Sequence, residues 1–262
     1  MPPLITLTTD FGTRDPYVGA MKGVISTLCP QARLVDLSHA ITRHNVAEAS
    51  LFLLASVPFF PAGSIHLVVV DPGVGTERKP IVVSSLGRLF VCPDNGLLTL
   101  FVQRHGYDDI RLISHKDCML PARSATFDGR DLFAPTAARL ACGFPLADVG
   151  PPLQKMELLP LHRVEQTDLL IRGVIIHVDS FGNLITNIPH SVVTGEVSIV
   201  LKDLELTSIG KTYGSVAPGE IAALWGSSGF LEIAVNRGSA ADRLNSTVGD
   251  AIEVRRTLHR NA

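Results

Sequence analysis

The sequence predicts an α/β N-terminal domain, residues 1–150, followed by an all-β C-terminal domain, residues 166–262. In the first region, strand-like apolar segments alternate with segments of helical periodicity, which is typical of α/β proteins. Residues 151–165 are rich in proline and lack periodicity, so they are predicted to be a linker. Only short strand-like runs follow, without a pattern for a helix of three turns, and they indicate a sandwich or a small barrel.

The N-terminal domain is expected to contain a mainly parallel sheet with helices on both faces. Residues 65–70 are a run rich in β-branched residues, typical of a strand buried on both sides, and residues 81–85 with 89–92 predict a hairpin. The other predicted strands of this domain are residues 4–8 and 34–37, and its predicted helices are residues 17–29, 45–57, 97–105 and 131–142. The predicted strands of the C-terminal domain are residues 173–178, 183–187, 197–202, 221–225, 231–235 and 251–255.

Composition argues against several classes of function. The 262 residues are 46% hydrophobic and 18% charged, with 23 Lys and Arg against 25 Asp and Glu, so no basic surface for nucleic acid is expected. No secretory signal and no apolar run long enough for a membrane span is visible. The four cysteines lack the spacing of a zinc site or a disulfide framework: Cys29, Cys92, Cys118 and Cys142. We therefore expect a cytoplasmic protein with reduced thiols, no metal, and neither nucleic acid nor membrane as a partner.

Polar loops at the predicted strand ends hold the candidate functional residues of the first domain. Asp10 follows the first strand, where its carboxylate can accept both hydroxyls of a ribose or, alternatively, cap the following helix. Asp71 follows the most buried strand and Arg78 comes seven residues later; the pair can orient a water, bind an ion or form a structural salt bridge. Neither a phosphate loop nor a dinucleotide-binding glycine motif is present.

A third charged loop, residues 122–131, precedes the last predicted helix of the first domain. Asp131 is expected to be the N-cap of that helix, and Arg130 to pair with it or with another loop. These structural roles leave Asp128 unexplained. In the C-terminal domain, Asn183 is either a turn residue or a reader of a purine edge, and Phe181 offers a stacking face.

These loops resemble, in order and over essentially the whole chain, the motifs of one family, the S-adenosyl-L-methionine (SAM) hydroxide adenosyltransferases, relatives of fluorinase and chlorinase. The matching segments are TDFG at 9–12, DPYVGAMKG at 15–23, DLSHAI at 36–41, DPGVGTER at 71–78, PDNGLL at 93–98, TFDGRDLFAP at 126–135, DSFGNLITN at 179–187 and GFLEIAVN at 229–236.

The resemblance implies an α/β domain followed by a barrel-like β domain. It also implies a homotrimer that binds each SAM between the N-terminal domain of one subunit and the C-terminal domain of its neighbour. Water or hydroxide then attacks the ribose C5′ of SAM and gives adenosine and L-methionine. No metal or other cofactor is implied, because the sulfonium already makes methionine a good neutral leaving group.

The resemblance also assigns roles to individual residues. Asp10 would hold the ribose hydroxyls, Asn183 would face the adenine and Phe181 would pack against the ligand. The residues implied around the methionine head group are Asp179, Ser227 and Glu232.

Asp71 and Arg78 match the first two members of the family's water-activating Asp-Arg-His set, but the position of the His holds Asp128. Three interpretations of this departure stay open: Asp128 replaces the His as partner or base, the enzyme is weakened or inactivated but still binds SAM, or the pocket takes another nucleophile. A halide fits poorly, because the site has gained an anion. A non-catalytic SAM or adenosine sensor is a further alternative. Hydrolysis is the interpretation that we favour.

Overall fold

The chain divides between Leu159 and Pro160 into two units, each with its own hydrophobic core. The computed structural model describes residues 2–256. No helix within this range is long and apolar enough to cross a bilayer. The N-terminal unit is α/β and the C-terminal unit is a nearly closed, barrel-like sheet, so the predicted fold class is confirmed.

A six-stranded sheet forms the centre of the N-terminal unit, in the order β2-β1-β3-β5-β4-β6. Its elements are β1 (Leu4–Thr9), α1 (Tyr17–Leu28), β2 (Arg33–Ser38), α2 (Val46–Ser56), β3 (Ile65–Val69), β4 (Pro80–Ser85), β5 (Arg88–Pro93), α3 (Thr99–His105), β6 (Asp109–Leu112) and α4 (Ala134–Ala141). The pairs β1–β2, β1–β3 and β3–β5 are parallel. The predicted hairpin is β4–β5, and β4 also pairs antiparallel with β6, a strand that the sequence analysis missed. The sheet is therefore mixed.

Strand β3 is buried on both faces, as its composition predicts. Ile65, Leu67 and Val69 point into a cluster shared with α1 and α4, whereas Val68 points into a cluster shared with α2 and α3. This alternation follows from the two-residue period of a strand, so helices cover both sides of the sheet. The turn after β4 has positive φ at both Leu86 and Gly87, as a two-residue hairpin requires.

The predicted linker, residues 151–165, does not lie apart from the two units. Residues 151–159 belong to the N-terminal unit, where the Leu153 amide donates to the Ile110 carbonyl and Met156 is buried in the cluster with α2 and α3. The Glu157 amide donates to the Asp94 carboxylate. Leu153, Met156 and Leu159 lie three residues apart and pack against this cluster, so the proline-rich segment is held to the N-terminal unit.

The C-terminal unit contains a nine-stranded sheet in the order β11-β10-β15-β8-β9-β14-β13-β12, with β7 paired to β8. Its elements are β7 (Glu165–Gln166), β8 (Leu170–Val178), β9 (Leu184–Pro189), β10 (Val197–Leu201), β11 (Leu204–Leu206), β12 (Ile209–Gly210), β13 (Ile221–Trp225), β14 (Phe230–Val235), α5 (Ala240–Leu244) and β15 (Ala251–Arg256). The six predicted runs are strands in the structure. The short strands β7, β11 and β12 were not predicted, because two or three residues carry no measurable period.

Replacing Met156 tests the packing of the proline-rich segment. Met156→Ala should lower the free energy of unfolding of the N-terminal unit by about 2–5 kcal/mol, because it leaves a cavity in a core. The matched control is Leu158→Ala, since Leu158 is 50% exposed. Chemical denaturation measures both variants, and equal stability of Met156→Ala and the parent would contradict the packing.

Candidate active site

The loop after β3 and the loop before α4 lie against each other. Gly75 has φ +79°, and a Cβ on it would lie 3.2 Å from the Ala125 carbonyl oxygen. Within the first loop, the Val74 amide donates to the Asp71 carbonyl and the Thr76 amide to the Gly73 carbonyl. These tight turns bring Arg78 back towards the end of β3, where Asp71 lies.

Arg78 bridges two carboxylates at this junction. Its Nη2 donates to Oδ2 of Asp71 and to Oδ2 of Asp128, both at 2.5 Å, and its Nε lies 2.9 and 3.1 Å from the two Asp71 oxygens. The side chains of Asp71, Arg78 and Asp128 are 5%, 10% and 10% exposed. The Phe133 ring lies 5.3 Å from Arg78 Cζ. The structure thus brings the three predicted catalytic residues into one buried charge cluster.

A fourth charged residue, Arg123, joins this cluster. Its Nη2 donates to Asp128 Oδ1 at 2.8 Å, so each oxygen of Asp128 accepts from a different guanidinium. Arg123 is 39% exposed. The sequence analysis did not select Arg123, because nothing in its spacing indicates which carboxylate it meets.

The surroundings fix the protonation of two buried groups. Burial would lower the pKa of Arg78, but hydrogen bonds and charges from Asp71 and Asp128 raise it above its ordinary value, so Arg78 stays cationic. Burial raises the pKa of the Cys92 thiol, and the charges of Asp94 and Asp71 add to this effect. Cys92 is therefore a neutral thiol and not a nucleophile.

The predicted N-cap role of Asp131 is wrong. A π-helical turn, Gly129–Phe133, precedes α4, and Asp131 lies inside it. Its carboxylate accepts from the Ser124 amide at 2.6 Å and from Arg130, which confirms the predicted pair. Burial would raise the pKa of Asp131, but these hydrogen bonds lower it below its ordinary value. Asp131 therefore holds the loop that carries Arg123 and Asp128.

Asp10 does not cap a helix either. Its Oδ2 accepts from the His44 amide at 2.8 Å, and α1 begins only at Tyr17, directly after Pro16. His44 has φ +65°, a strained conformation for a residue with a side chain. The carboxylate thus stabilises the turn between β2 and α2.

An aromatic cleft of about 380 Å³ lies beside the 122–131 loop. Ring centroids of Phe11, Tyr17 and Phe127 are 5.2–6.1 Å apart. A Cβ on Gly129 would lie 3.1 Å from the Phe127 ring and 3.2 Å from the Met21 sulfur, so glycine lets the π-helical turn pack against these rings. Ser124, Thr126 and Arg130 supply its polar lining.

In the C-terminal unit, one loop contains three of the predicted binding residues. Oδ1 of Asp179 accepts from the amides of Phe181 and Asn183, and its Oδ2 accepts from Asn183 Nδ2, all at 2.9 Å. The Phe181 ring is 77% exposed. Gly182 has φ +80°, and a Cβ there would lie 2.2 Å from Ser239 Oγ. The loop thus fixes Asn183 and leaves the face of Phe181 open.

Glu232 on β14 is buried, and its Oε1 accepts from the Tyr213 hydroxyl at 2.7 Å. Burial raises the pKa of Glu232 above its ordinary value, the charge of Asp179 raises it further, and the hydrogen bond from Tyr213 offsets only part. The pKa of Tyr213 is raised to about 12 by burial and by Glu232, so it stays a donor. Ser227 is exposed in the turn that joins β13 to β14. Tyr213 was missed, because it lies 19 residues from Glu232.

Within residues 2–256, no three His, Cys, Asp or Glu side chains form a group that would suit a metal ion.

Comparison with known proteins assigns the chain to a family. Residues 5–150 match the model of the SAM hydroxide adenosyltransferase N-terminal domain, and residues 173–253 match that of the C-terminal domain. An (R)-S-adenosyl-L-methionine hydrolase of Salinispora tropica is 38% identical over 96% of this chain and 97% of its own length. A fluorinase of Actinopolyspora mzabensis is 28% identical over 97% of this chain and 98% of its own length.

Among solved structures, an uncharacterized conserved protein from Thermotoga maritima superimposes with a TM-score of 0.90 at 38% identity, covering 96% of this chain and 100% of that one. The two family models match in the order and at the positions of the two units, in agreement with the fold. The chain therefore belongs to the SAM hydroxide adenosyltransferase family.

Proposed function

We propose that this protein hydrolyses SAM to adenosine and L-methionine by attack of water on the ribose C5′. The observation that carries this proposal is the buried cluster of Asp71, Arg78 and Asp128. The (R)-S-adenosyl-L-methionine hydrolase of Salinispora tropica aligns along almost the whole chain, which supports the same reaction.

The reaction requires the protein mainly to position the water and SAM and to accept a proton from the water. A bond forms between the water oxygen and C5′ while the bond from C5′ to sulfur breaks, and methionine leaves as a neutral thioether. The water loses a proton as it attacks, and a carboxylate of Asp71 or Asp128 can accept it, whereas the cationic Arg78 cannot. Arg78 instead fixes the direction in which both carboxylates face, so that the water is held in line with the sulfur.

A halide is a poor nucleophile for this arrangement. A dehydrated halide needs hydrogen-bond donors, but Nε and Nη2 of Arg78 already donate to Asp71 and Asp128. Two carboxylates close to the nucleophile would repel the anion, whereas they accept hydrogen bonds from water.

We propose that the binding residues contact different parts of SAM. Asp10 binds the ribose hydroxyls, Asn183 faces the adenine and Phe181 stacks on the ligand. The ring of Phe181 is exposed and can stack on a flat ligand. Asp179 holds the side-chain amide of Asn183 in a fixed orientation. The proposed contacts of the methionine head group are Asp179, Ser227 and Glu232.

The assembly rests on the resemblance alone. We propose a cytoplasmic homotrimer in which two subunits contribute the residues that hold each SAM, with no cofactor, since SAM is the substrate.

The reaction is tested by incubating the purified protein with SAM. Chromatography should detect adenosine and methionine in equal amounts. Asp71→Asn should lower the rate at least about 100-fold, because it removes a base or its partner, while SAM binding by calorimetry stays unchanged. Asp109→Asn, at an ion pair with Arg111 on the edge strand β6, is the matched control and should keep the parent rate.

Two other outcomes would overturn hydrolysis. SAM that binds to the parent but gives no product would indicate a SAM-binding protein without catalysis. A 5′-halogenated adenosine formed in fluoride or chloride would indicate halide transfer.

The pH dependence of SAM binding tests the role of Glu232. Its raised pKa keeps the carboxyl neutral up to a higher pH than an ordinary Glu, so KM for SAM should rise as the pH falls through that pKa and the pairing with the methionine ammonium is lost. Glu232→Gln keeps the acceptor for Tyr213 but not the charge, and should raise KM at least about 10-fold at neutral pH without this pH dependence.

Inhibition by adenosine, which lacks the methionine portion, should stay the same in the Glu232→Gln variant. Glu253→Gln, at a surface ion pair with Arg172, is the control for a general loss of charge. A Glu232→Gln variant with the parent's KM profile would show that Glu232 does not meet the ammonium group.

A further inference from the structure

Asp128 is held by two guanidinium groups, one for each of its oxygens. Arg78 reaches Oδ2 from the loop after β3, and Arg123 reaches Oδ1 from the loop that contains Asp128 itself. Asp128 is 7% exposed, so water contributes little to the solvation of this carboxylate. Its ionised form depends on these two donors.

The charges of the cluster balance only when Arg123 is included. Asp71 and Asp128 carry two negative charges and Arg78 one positive charge, so these three residues alone leave one surplus negative charge in a buried place. Two carboxylates that share one cation tend to hold a proton between them. The guanidinium of Arg123 makes the cluster neutral with both carboxylates ionised.

The family resemblance implies a His where this chain has Asp128. A neutral His needs no second cation beside Arg78, whereas an aspartate does. We propose that Arg123 is a positioning residue of the reaction, one that compensates the charge of Asp128 and fixes its carboxylate, so that Asp128 and Arg123 together take the place of the His. This inference rests on the proposed hydrolysis of SAM.

The contacts of Arg123 agree with a fixed position. Its Nη1 lies 3.8 Å from Met119 Sδ while its Nη2 holds Asp128, so the guanidinium spans the two. The other groups near the pair are Asp71, Arg78 and Asp131, together with the neutral thiol of Cys92 close to Asp71 and Arg78. Asp131 already pairs with Arg130, which leaves Arg123 as the second cation of Asp128.

The test compares Arg123→Gln with Arg123→Lys in the full-length protein, with kcat and KM for SAM measured as functions of pH. Arg123→Gln should lower kcat at neutral pH about 10-fold and move the acid limb of kcat up by about one pH unit, while KM stays within about twofold. Arg123→Lys should recover part of kcat, because the charge returns without the planar fork. Arg111→Gln, which removes an ion pair on the edge strand β6, should keep the parent profile.

A second background separates positioning from a structural role. In an Asp128→His protein, Arg123→Gln should change kcat less than about twofold, because no carboxylate is left to compensate. An equal loss of kcat in both backgrounds would overturn the proposal, and so would a parent-like pH profile of Arg123→Gln.

Chemical denaturation of the ligand-free protein tests the pairing without any turnover. The loss of stability in Arg123→Gln should shrink in an Asp128→Asn background, and equal losses in both backgrounds would overturn the pairing. A parent protein that does not hydrolyse SAM would overturn the proposed function, whereas an active parent with an unaffected Arg123→Gln variant would overturn only the inference about Arg123.

Discussion

The bridge from Arg78 to Asp71 and Asp128 is the interaction on which the candidate site depends. A guanidinium that is 10% exposed loses most of its hydration, and an unpaired charge in such a place would cost several kcal/mol. The two carboxylates offset that cost only if the loop after β3 and the loop before α4 meet. Gly75 permits this approach, since its φ of +79° favours glycine and a Cβ there would crowd the Ala125 carbonyl oxygen at 3.2 Å. The charged groups of the site thus stabilise one another where the two loops meet.

The buried carboxylates of the two units differ in their partners. In the N-terminal unit, each carboxylate of the cluster pairs with a guanidinium, Asp71 with Arg78, and Asp128 with Arg78 and Arg123. In the C-terminal unit, Glu232 has a tyrosine hydroxyl as its partner and Asp179 as its charged neighbour. The ammonium group of the methionine portion of SAM is the cation that we propose as a further partner of this acid.

Local pattern was enough to predict the fold class but not the contacts of the site. The alternation of the residues from Ile65 to Val69 between two core clusters follows from the period of a strand, and the β4–β5 hairpin follows from two apolar runs around a short turn. The motifs likewise indicated Asp71 and Arg78, and the departure from the motif pointed to Asp128. The sequence does not reveal the contacts of Arg123, Tyr213 and Asp10, because their hydrogen-bond partners, 5, 19 and 34 residues away, are set by tertiary packing. The N-cap prediction for Asp131 failed for the same reason, since a π-helical turn replaced the expected start of the helix.

The most direct test of the account is the single-turnover rate of SAM cleavage in an Arg78→Lys variant. Lysine keeps the positive charge but lacks the planar fork that reaches Asp71 and Asp128 at once. The account predicts that the rate falls about 100-fold, because the carboxylates lose their direction towards the water, while the Kd for SAM stays within about threefold. A variant that cleaves SAM at the parent rate would contradict the claim that the Arg78 bridge organises the reaction.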